Sequence, residues 1–159
     1  DKGFKSLLTS KKLFLELLRS FVPQQWVVSI DESSLTRIDK SFITTDFKGL
    51  ESDLVYKATI VSNRRSKTRK QYIFVLLELQ SVVNHLMPFR ILLYVCELLR
   101  DYVKNAGNEA YRKDFKFPVI IPIVLYTGKE PWNVPLRFKD KTVDFPKVEG
   151  LLDFSYILS

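Results

Sequence analysis

Apolar residues recur at helical spacing near the start of the chain. The pattern predicts a short helix over residues 2–8 and a second helix over 11–21, with Thr9 or Ser10 as its cap and Pro23 ending it. The apolar spacing indicates which side of the second helix is buried. Its expected buried stripe is Leu13, Phe14, Leu17, Leu18 and Phe21.

The middle of the chain has the alternation and β-branched content of strands. Trp26–Ile30 and Leu35–Ile43 alternate weakly, and the pattern leaves open whether they form one strand or two. Leu54–Val61 and Gln71–Gln80 are clearer, and the polar, basic segment Ser62–Lys70 separates them. The two clear strands are therefore predicted to form a β-hairpin closed by a basic turn.

A helix followed by a buried strand is predicted next. The helix covers 88–103 with Pro88 in its first turn, and the strand is Val119–Tyr126. A helix between two strands is typical of a right-handed parallel crossover, so the chain is predicted to be α/β, with a mixed central sheet flanked by helices. The expected buried stripe of this helix is Phe89, Leu92, Leu93, Cys96, Leu99 and Val103.

The hairpin register brings two acidic residues together. If Ser62 pairs with Arg69, paired residue numbers keep a constant sum of 131, which also pairs Asp53 with Glu78. Gln80 lies two residues after Glu78 and shares its face. The same register gives the other face a wholly apolar set, as expected of a core: Leu54, Tyr56, Ala58 and Ile60 with Ile73, Val75, Leu77 and Leu79.

Paired carboxylates suggest a metal site. Two neighbouring carboxylates repel each other unless a cation lies between them. The oxygen atoms of Asp53, Glu78 and the Gln80 carbonyl are donors that suit Mg²⁺, and also Mn²⁺ or Ca²⁺. Such an ion would activate water and neutralise charge on a phosphodiester. The alternative is two ordinary solvated acids at the ends of their strands.

Composition narrows the class of partner. The formal net charge of +7 favours a polyanion, with nucleic acid ahead of an anionic membrane surface. No apolar stretch is long enough to span a membrane. The single cysteine, Cys96, excludes an internal disulfide and fits a cytoplasmic location. The 159 residues suit one domain, over 1–159. We expect it to be a piece of a longer protein, because the chain starts at Asp1 and ends after an apolar segment, Leu151–Leu158.

Several short motifs in order resemble a known family. The chain is similar, from the first helix to Trp132, to the Rpn recombination-promoting nucleases, also described as YhgA-like transposases, of the PD-(D/E)xK nuclease superfamily. The motifs are Asp1–Phe4 with Phe14–Pro23, 51–56 (Glu-Ser-Asp-Leu-Val-Tyr), 76–81 (Leu-Leu-Glu-Leu-Gln-Ser), 86–90 (Leu-Met-Pro-Phe-Arg) and Pro118–Gly128.

The resemblance implies a fold and an activity. The implied fold is a restriction-endonuclease-like core of order α-β-β-β-α-β. The implied activity is a Mg²⁺-dependent DNA endonuclease acting in recombination or transposition, in which Asp53 takes the place of the motif aspartate, Glu78 the following acid and Gln80 the motif lysine. Glu16 could be the extra acid that some superfamily members place near the metal, or an exposed helix residue.

Two departures from the superfamily pattern affect the expected chemistry. Ser52 stands where the superfamily has proline, and Gln80 replaces lysine. Glutamine is neither a cation nor a proton-transfer group, although the family resembles this chain in carrying it. An alternative is therefore a catalytically silent module that binds DNA or a partner.

A homodimer is plausible by symmetry, because cutting both strands of a duplex often needs two active sites.

Basic residues supply candidate DNA contacts. The hairpin tip is expected to contact phosphates or only to improve solubility, and it lies at the far end of the hairpin from the acids. Lys57 shares the face of the acids and is a candidate to stabilise phosphate charge. Arg90 is expected to bind phosphate or to pair with an acid, and His85 to be a base, a metal neighbour or a loop residue without a chemical role. The basic tip residues are Arg64, Arg65, Lys67, Arg69 and Lys70.

Overall fold

The computed structural model describes residues 10–22, 24–38, 54–64, 67–146 and 148–159, with side chains except those of 61–72. The helix predicted over 2–8 lies outside these residues. The helices are α1 (Lys11–Phe21), α2 (Gln25–Val28) and α3 (Met87–Ala106). The strands are β1 (Thr36–Arg37), β2 (Leu54–Arg64), β3 (Lys67–Gln80), β4 (Val119–Tyr126) and β5 (Ile157–Leu158).

One mixed five-stranded sheet organises the fold. Its order is β1-β2-β3-β4-β5, antiparallel across the first three strands and parallel from β3 to β5. The β3–α3–β4 connection is the predicted parallel crossover. The predicted order α-β-β-β-α-β is confirmed, with β5 added at the edge.

The hairpin register is the predicted one. Ser62 pairs with Arg69 and Leu54 with Leu77, so residue numbers sum to 131 along the ladder. The hairpin is longer than predicted, because β2 continues to Arg64 and β3 starts at Lys67. The basic segment was expected to be a turn because of its polar side chains. Ladder hydrogen bonds come from the backbone, however, and a solvated hairpin end tolerates polar residues.

Helix α1 covers one face of the sheet. Its Phe14 ring stacks on Tyr56 with 4.0 Å between ring centroids. The predicted bounds are confirmed, and Ser10 is the cap residue, although its side chain makes no capping hydrogen bond. The predicted stripe was partly wrong: Leu15 is buried, whereas Leu13 and Phe21 are exposed. The helix is rotated relative to the prediction because so many of its residues are apolar that spacing alone does not fix the buried side.

The segment before β1 is not the predicted strand. Gln25–Val28 forms a helical turn that buries Val27, and Ile30 makes an isolated bridge with Ile60. Thr36 and Arg37 form the short β1, and the rest of the predicted second strand from residue 39 lies outside the described part. Strand propensity is a weak preference that depends on packing, and here burial of Val27 in a turn prevails.

Helix α3 covers the other face of the sheet. Its buried residues include Met87, Ile91, Tyr94 and Leu98, while Phe89 is 49% exposed. The predicted stripe was wrong in phase, since Cys96 is also exposed. Both sets have helical spacing, and the position of the sheet decides which one is buried.

In the described part of the chain, no helix combines the length and the apolar character needed to cross a membrane.

Candidate metal and nucleic-acid site

A buried carboxylate marks the carboxyl end of β3. Glu78 lies on the α3 face of the sheet and pairs with Val124 of β4 in the parallel ladder. It is 1% exposed and, among the residues whose side chains are described, it is the one polar or charged member of the buried set. An ionised carboxylate in such a position needs charged or hydrogen-bonding partners, because desolvation disfavours it strongly.

Two side chains converge on one oxygen of this carboxylate. The Arg90 Nε atom, in the first turn of α3, lies 2.8 Å from Glu78 Oε1. The Gln80 Nε2 atom donates a hydrogen bond of 2.5 Å to the same oxygen. Period two along β3 places Gln80 on the face of Glu78, and the crossover places α3 above it. Of the two partners left open for Arg90, a phosphate or an acid, the structure shows an acid, Glu78.

Tyr94 lies one helical turn after Arg90 and completes the cluster. It is buried, and its hydroxyl finds no hydrogen-bond partner among the described residues. Burial and then the negative charge of Glu78 raise the pKa of Tyr94, with a smaller opposing effect from Arg90. The phenol is therefore neutral near pH 7. Tyr94 was not among the predicted site residues, although its spacing of four from Arg90 was the available signal.

Asp53 lies outside the described residues. Its pairing with Glu78 stays a prediction, although the ladder that begins with Leu54 opposite Leu77 has the register on which that prediction rests. Among the described residues, no three His, Cys, Asp or Glu side chains come together as a metal site.

The accessory candidates lie in different places. Lys57 pairs with Phe74 on the α3 face and lines a groove of about 350 Å³ with Asp101 and Tyr102. Glu16 is exposed on α1, which packs on the opposite face of the sheet, so it lies apart from the Glu78 cluster.

The described end of the hairpin lies far from Glu78. Backbone pairing places Arg64 opposite Lys67, eleven residues before Glu78 on β3. At about 3.3 Å per residue, this separation is about 35 Å along the strand. Arg65 lies outside the described residues, and the side chains of Arg69 and Lys70 are not among those described. As predicted, the tip is at the far end of the hairpin from the carboxylate.

A second, larger groove begins where β3 ends. Its volume is about 690 Å³. The Thr127 N–H donates to the Gln80 carbonyl at 2.9 Å, which joins the groove wall to the end of β3. Tyr126 lines the groove and packs on Trp132 with ring centroids 5.1 Å apart, so both rings have packing roles. The lining residues are Ser81, Val82, Val83, His85, Tyr126, Thr127, Gly128, Lys129, Glu130, Pro131 and Asn133.

The donor chemistry of the cluster fits a hard divalent cation. The Glu78 carboxylate and the amide oxygen of Gln80 are ligand types used by Mg²⁺ and Ca²⁺. Because Glu78 Oε1 forms the ion pair with Arg90 and accepts the hydrogen bond from Gln80, a cation at that oxygen competes with both.

The architecture defines the class of this protein. A mixed sheet flanked by helices on both faces, in the order found here, is consistent with a restriction-endonuclease-like core. The family model described as "Putative transposase, YhgA-like" matches residues 1–159. The chain belongs to this family, and the resemblance inferred from its motifs is confirmed.

Two curated relatives from Escherichia coli show the same similarity. One, from O157:H7, is named recombination-promoting nuclease RpnD and is 25% identical over 139 residues, which cover 84% of this chain and 48% of the relative. Another, from strain K12, is named recombination-promoting nuclease RpnA and is 26% identical over 149 residues, which cover 93% of this chain and 46% of the relative. The chain spans about half the length of these relatives. No solved structure matches it.

Proposed function

We propose that the chain is a metal-dependent DNA endonuclease domain that hydrolyses phosphodiester bonds during recombination or transposition. The observation that carries this proposal is the buried Glu78 carboxylate at the end of β3, with Gln80 and Arg90 on its Oε1 atom. The nuclease names of the relatives and the net charge of +7 support the same activity.

In the proposed site, Asp53 and Glu78 hold Mg²⁺, with Mn²⁺ and Ca²⁺ as substitutes. Asp53 precedes Leu54 in the chain, and Leu54 pairs with Leu77, the neighbour of Glu78. The bound ion would supply an activated water and neutralise charge on the scissile phosphate. Gln80 holds the Glu78 carboxylate in place, and its amide oxygen is available to orient water.

The DNA path in this proposal follows the groove beside Gln80. The groove adjoins the end of β3 and includes Lys129 and His85 on its exposed rim. Lys57 contributes positive charge from the α3 side of the sheet. The basic hairpin residues add phosphate contacts at a distance, which raise affinity without reading sequence.

Plasmid nicking tests the proposal. The intact chain is expected to convert supercoiled DNA to nicked circles in Mg²⁺ and not in EDTA, whereas Asp53→Ala and Glu78→Gln lose this activity. Asp114→Asn is the matched control, because Asp114 is an exposed acid in the 112–114 turn and is expected to leave nicking unchanged. Equal nicking by the intact chain and Asp53→Ala would reject the site.

A silent DNA-binding module is the second candidate. Gln80 at the lysine position favours it, because the amide cannot carry charge or transfer a proton. Titration with Ca²⁺ or Mn²⁺ distinguishes the two, since a ligand that binds only the folded state raises the melting temperature. Metal-induced stabilisation that Glu78→Gln abolishes supports the nuclease. DNA binding without any such stabilisation supports the module.

A further inference from the structure

Arg90 occupies the place in which a cation would neutralise Glu78. Its Nε atom lies 2.8 Å from Oε1 of a carboxylate that is 1% exposed, while the Arg90 side chain is itself 19% exposed. Glu78 is thus fixed in the sheet, whereas Arg90 reaches solvent from the start of α3. A charged arginine can rotate outward more readily than Glu78 can move.

The Oε1 atom cannot serve Arg90 and a metal ion equally well. It already accepts a 2.5 Å hydrogen bond from Gln80 in addition to the Arg90 contact. A divalent ion bound at this oxygen places positive charge within a few ångströms of the guanidinium, and like charges repel strongly in a partly buried site. Metal binding therefore weakens the Arg90 pairing.

We propose that Arg90 is an exchangeable counter-ion: it pairs with Glu78 in the metal-free protein and, when the metal binds, turns to a phosphate of the DNA. This inference rests on the proposed function, since it uses the same metal site. It makes metal and DNA binding cooperative, because the ion releases the arginine that contacts the phosphate. Arg90 is a positioning residue in the first state and a substrate-binding residue in the second.

Metal affinity gives the first test. In Arg90→Met the competing charge is absent, so the dissociation constant for Ca²⁺, measured by calorimetry without DNA, is expected to fall about tenfold. Arg100→Met is the matched control, because Arg100 lies on the same helix with its side chain 74% exposed and is expected to leave the constant unchanged. A constant that is unchanged or raised in Arg90→Met overturns the inference.

DNA affinity gives the second test. Ca²⁺ is used so that DNA binds without being cut. In EDTA, the intact chain and Arg90→Met are expected to bind a short duplex equally well, because Arg90 is held by Glu78. In Ca²⁺, the intact chain is expected to bind the duplex more tightly than Arg90→Met. Its plot of log affinity against log salt concentration should also be steeper, by about the contribution of one phosphate contact. Equal affinities in Ca²⁺, or a defect of the variant already in EDTA, overturn the inference.

The two proposals fail in different ways. If Ca²⁺ binds neither the intact chain nor Arg90→Met, the proposed metal site is rejected together with the exchange. If Ca²⁺ binds both with equal affinity and Glu78→Gln abolishes binding, the metal site stands and the exchange is rejected. Should Arg90→Met not fold, Arg90→Gln replaces it. Its neutral amide also removes the competing charge, so tighter Ca²⁺ binding is still expected, and an unchanged constant again overturns the exchange.

Discussion

Glu78 and Arg90 form an ion pair that joins the end of β3 to the start of α3. Their Oε1 and Nε atoms are 2.8 Å apart, with the carboxylate buried and the guanidinium partly exposed. The pair joins two consecutive elements of the crossover, because the Glu78 side chain points to the face of the sheet that α3 covers. The pair therefore ties the start of α3 to the end of β3.

Removing one partner of this pair is expected to destabilise the metal-free protein. Arg90→Met in EDTA should lower the free energy of unfolding by about 3 kcal/mol, because Glu78 stays buried without its counter-charge. Urea denaturation measures the change. Arg100→Met should stay within about 0.5 kcal/mol of the parent. In a Glu78→Gln background, the loss of unfolding free energy caused by Arg90→Met should be smaller by at least about 1 kcal/mol. An equal loss in both backgrounds would contradict the pairing.

The buried side of α1 can be tested with two phenylalanines of the same helix. Phe14→Ala removes a fully buried ring stacked on Tyr56 and is expected to lower the free energy of unfolding by about 3–5 kcal/mol. Phe21→Ala removes a ring that is 55% exposed and should change it by less than about 1 kcal/mol. Equal losses, measured by denaturant unfolding, would contradict the rotation of α1 described here.

The element order and the hairpin register could be predicted because each rests on a local pattern. Alternation at period two makes one face of the hairpin apolar where Leu54–Ala58 pairs with Ile73–Leu77, and a slip by one residue would expose that face. The buried sides of α1 and α3 could not be predicted in the same way. Both helices are apolar on more than one side, so only the position of the sheet distinguishes Tyr94 from Phe89.

The candidate site, too, could be predicted only where a local pattern determines it. Glu78 and Gln80 share a face because they are two residues apart on one strand, which the sequence predicts. Arg90 reaches them through the packing of α3, and its sequence position is compatible with either a phosphate or an acid as its partner. Tyr94 was missed because a tyrosine in an apolar helix gives no chemical signal until its neighbours are known. The place of Asp53 opposite Glu78 stays a prediction.

Gly128 is required by the loop that forms one wall of the larger groove. A Cβ atom at this position would overlap the Tyr126 ring and hydroxyl, and that hydroxyl donates a 2.6 Å hydrogen bond to the Glu130 carbonyl. Gly128→Ala is expected to lower the free energy of unfolding by about 1–3 kcal/mol in urea denaturation. The same substitution in a Tyr126→Leu background, where the ring is gone, should cause a much smaller further loss. A full loss in both backgrounds would assign the effect to the backbone instead.

Tyr156 is expected to make the stability of the protein fall at alkaline pH. Its hydroxyl donates to the Pro135 carbonyl at 2.9 Å and accepts from Trp132 Nε1 at 3.1 Å. Burial raises the pKa of Tyr156, and the Trp132 hydrogen bond opposes this only in part. The unfolded tyrosine ionises near pH 10. The stabilising contribution of Tyr156 is therefore complete below pH 10 and is lost as the pH rises toward the higher folded value.

Tyr156→Phe isolates this contribution, because the other tyrosines titrate in both proteins. At pH 7 the variant should be less stable by about 1–2 kcal/mol, since two partly buried groups, Trp132 Nε1 and the Pro135 carbonyl, lose their hydrogen-bond partner. Above pH 10 the parent loses the contribution of the Tyr156 hydroxyl, which the variant lacks at every pH. The difference between their free energies of unfolding should therefore narrow. Urea denaturation at pH 7 and pH 10.5 measures it. A difference of the same size at both values would show that the folded and unfolded hydroxyls ionise alike, contrary to the raised pKa of Tyr156.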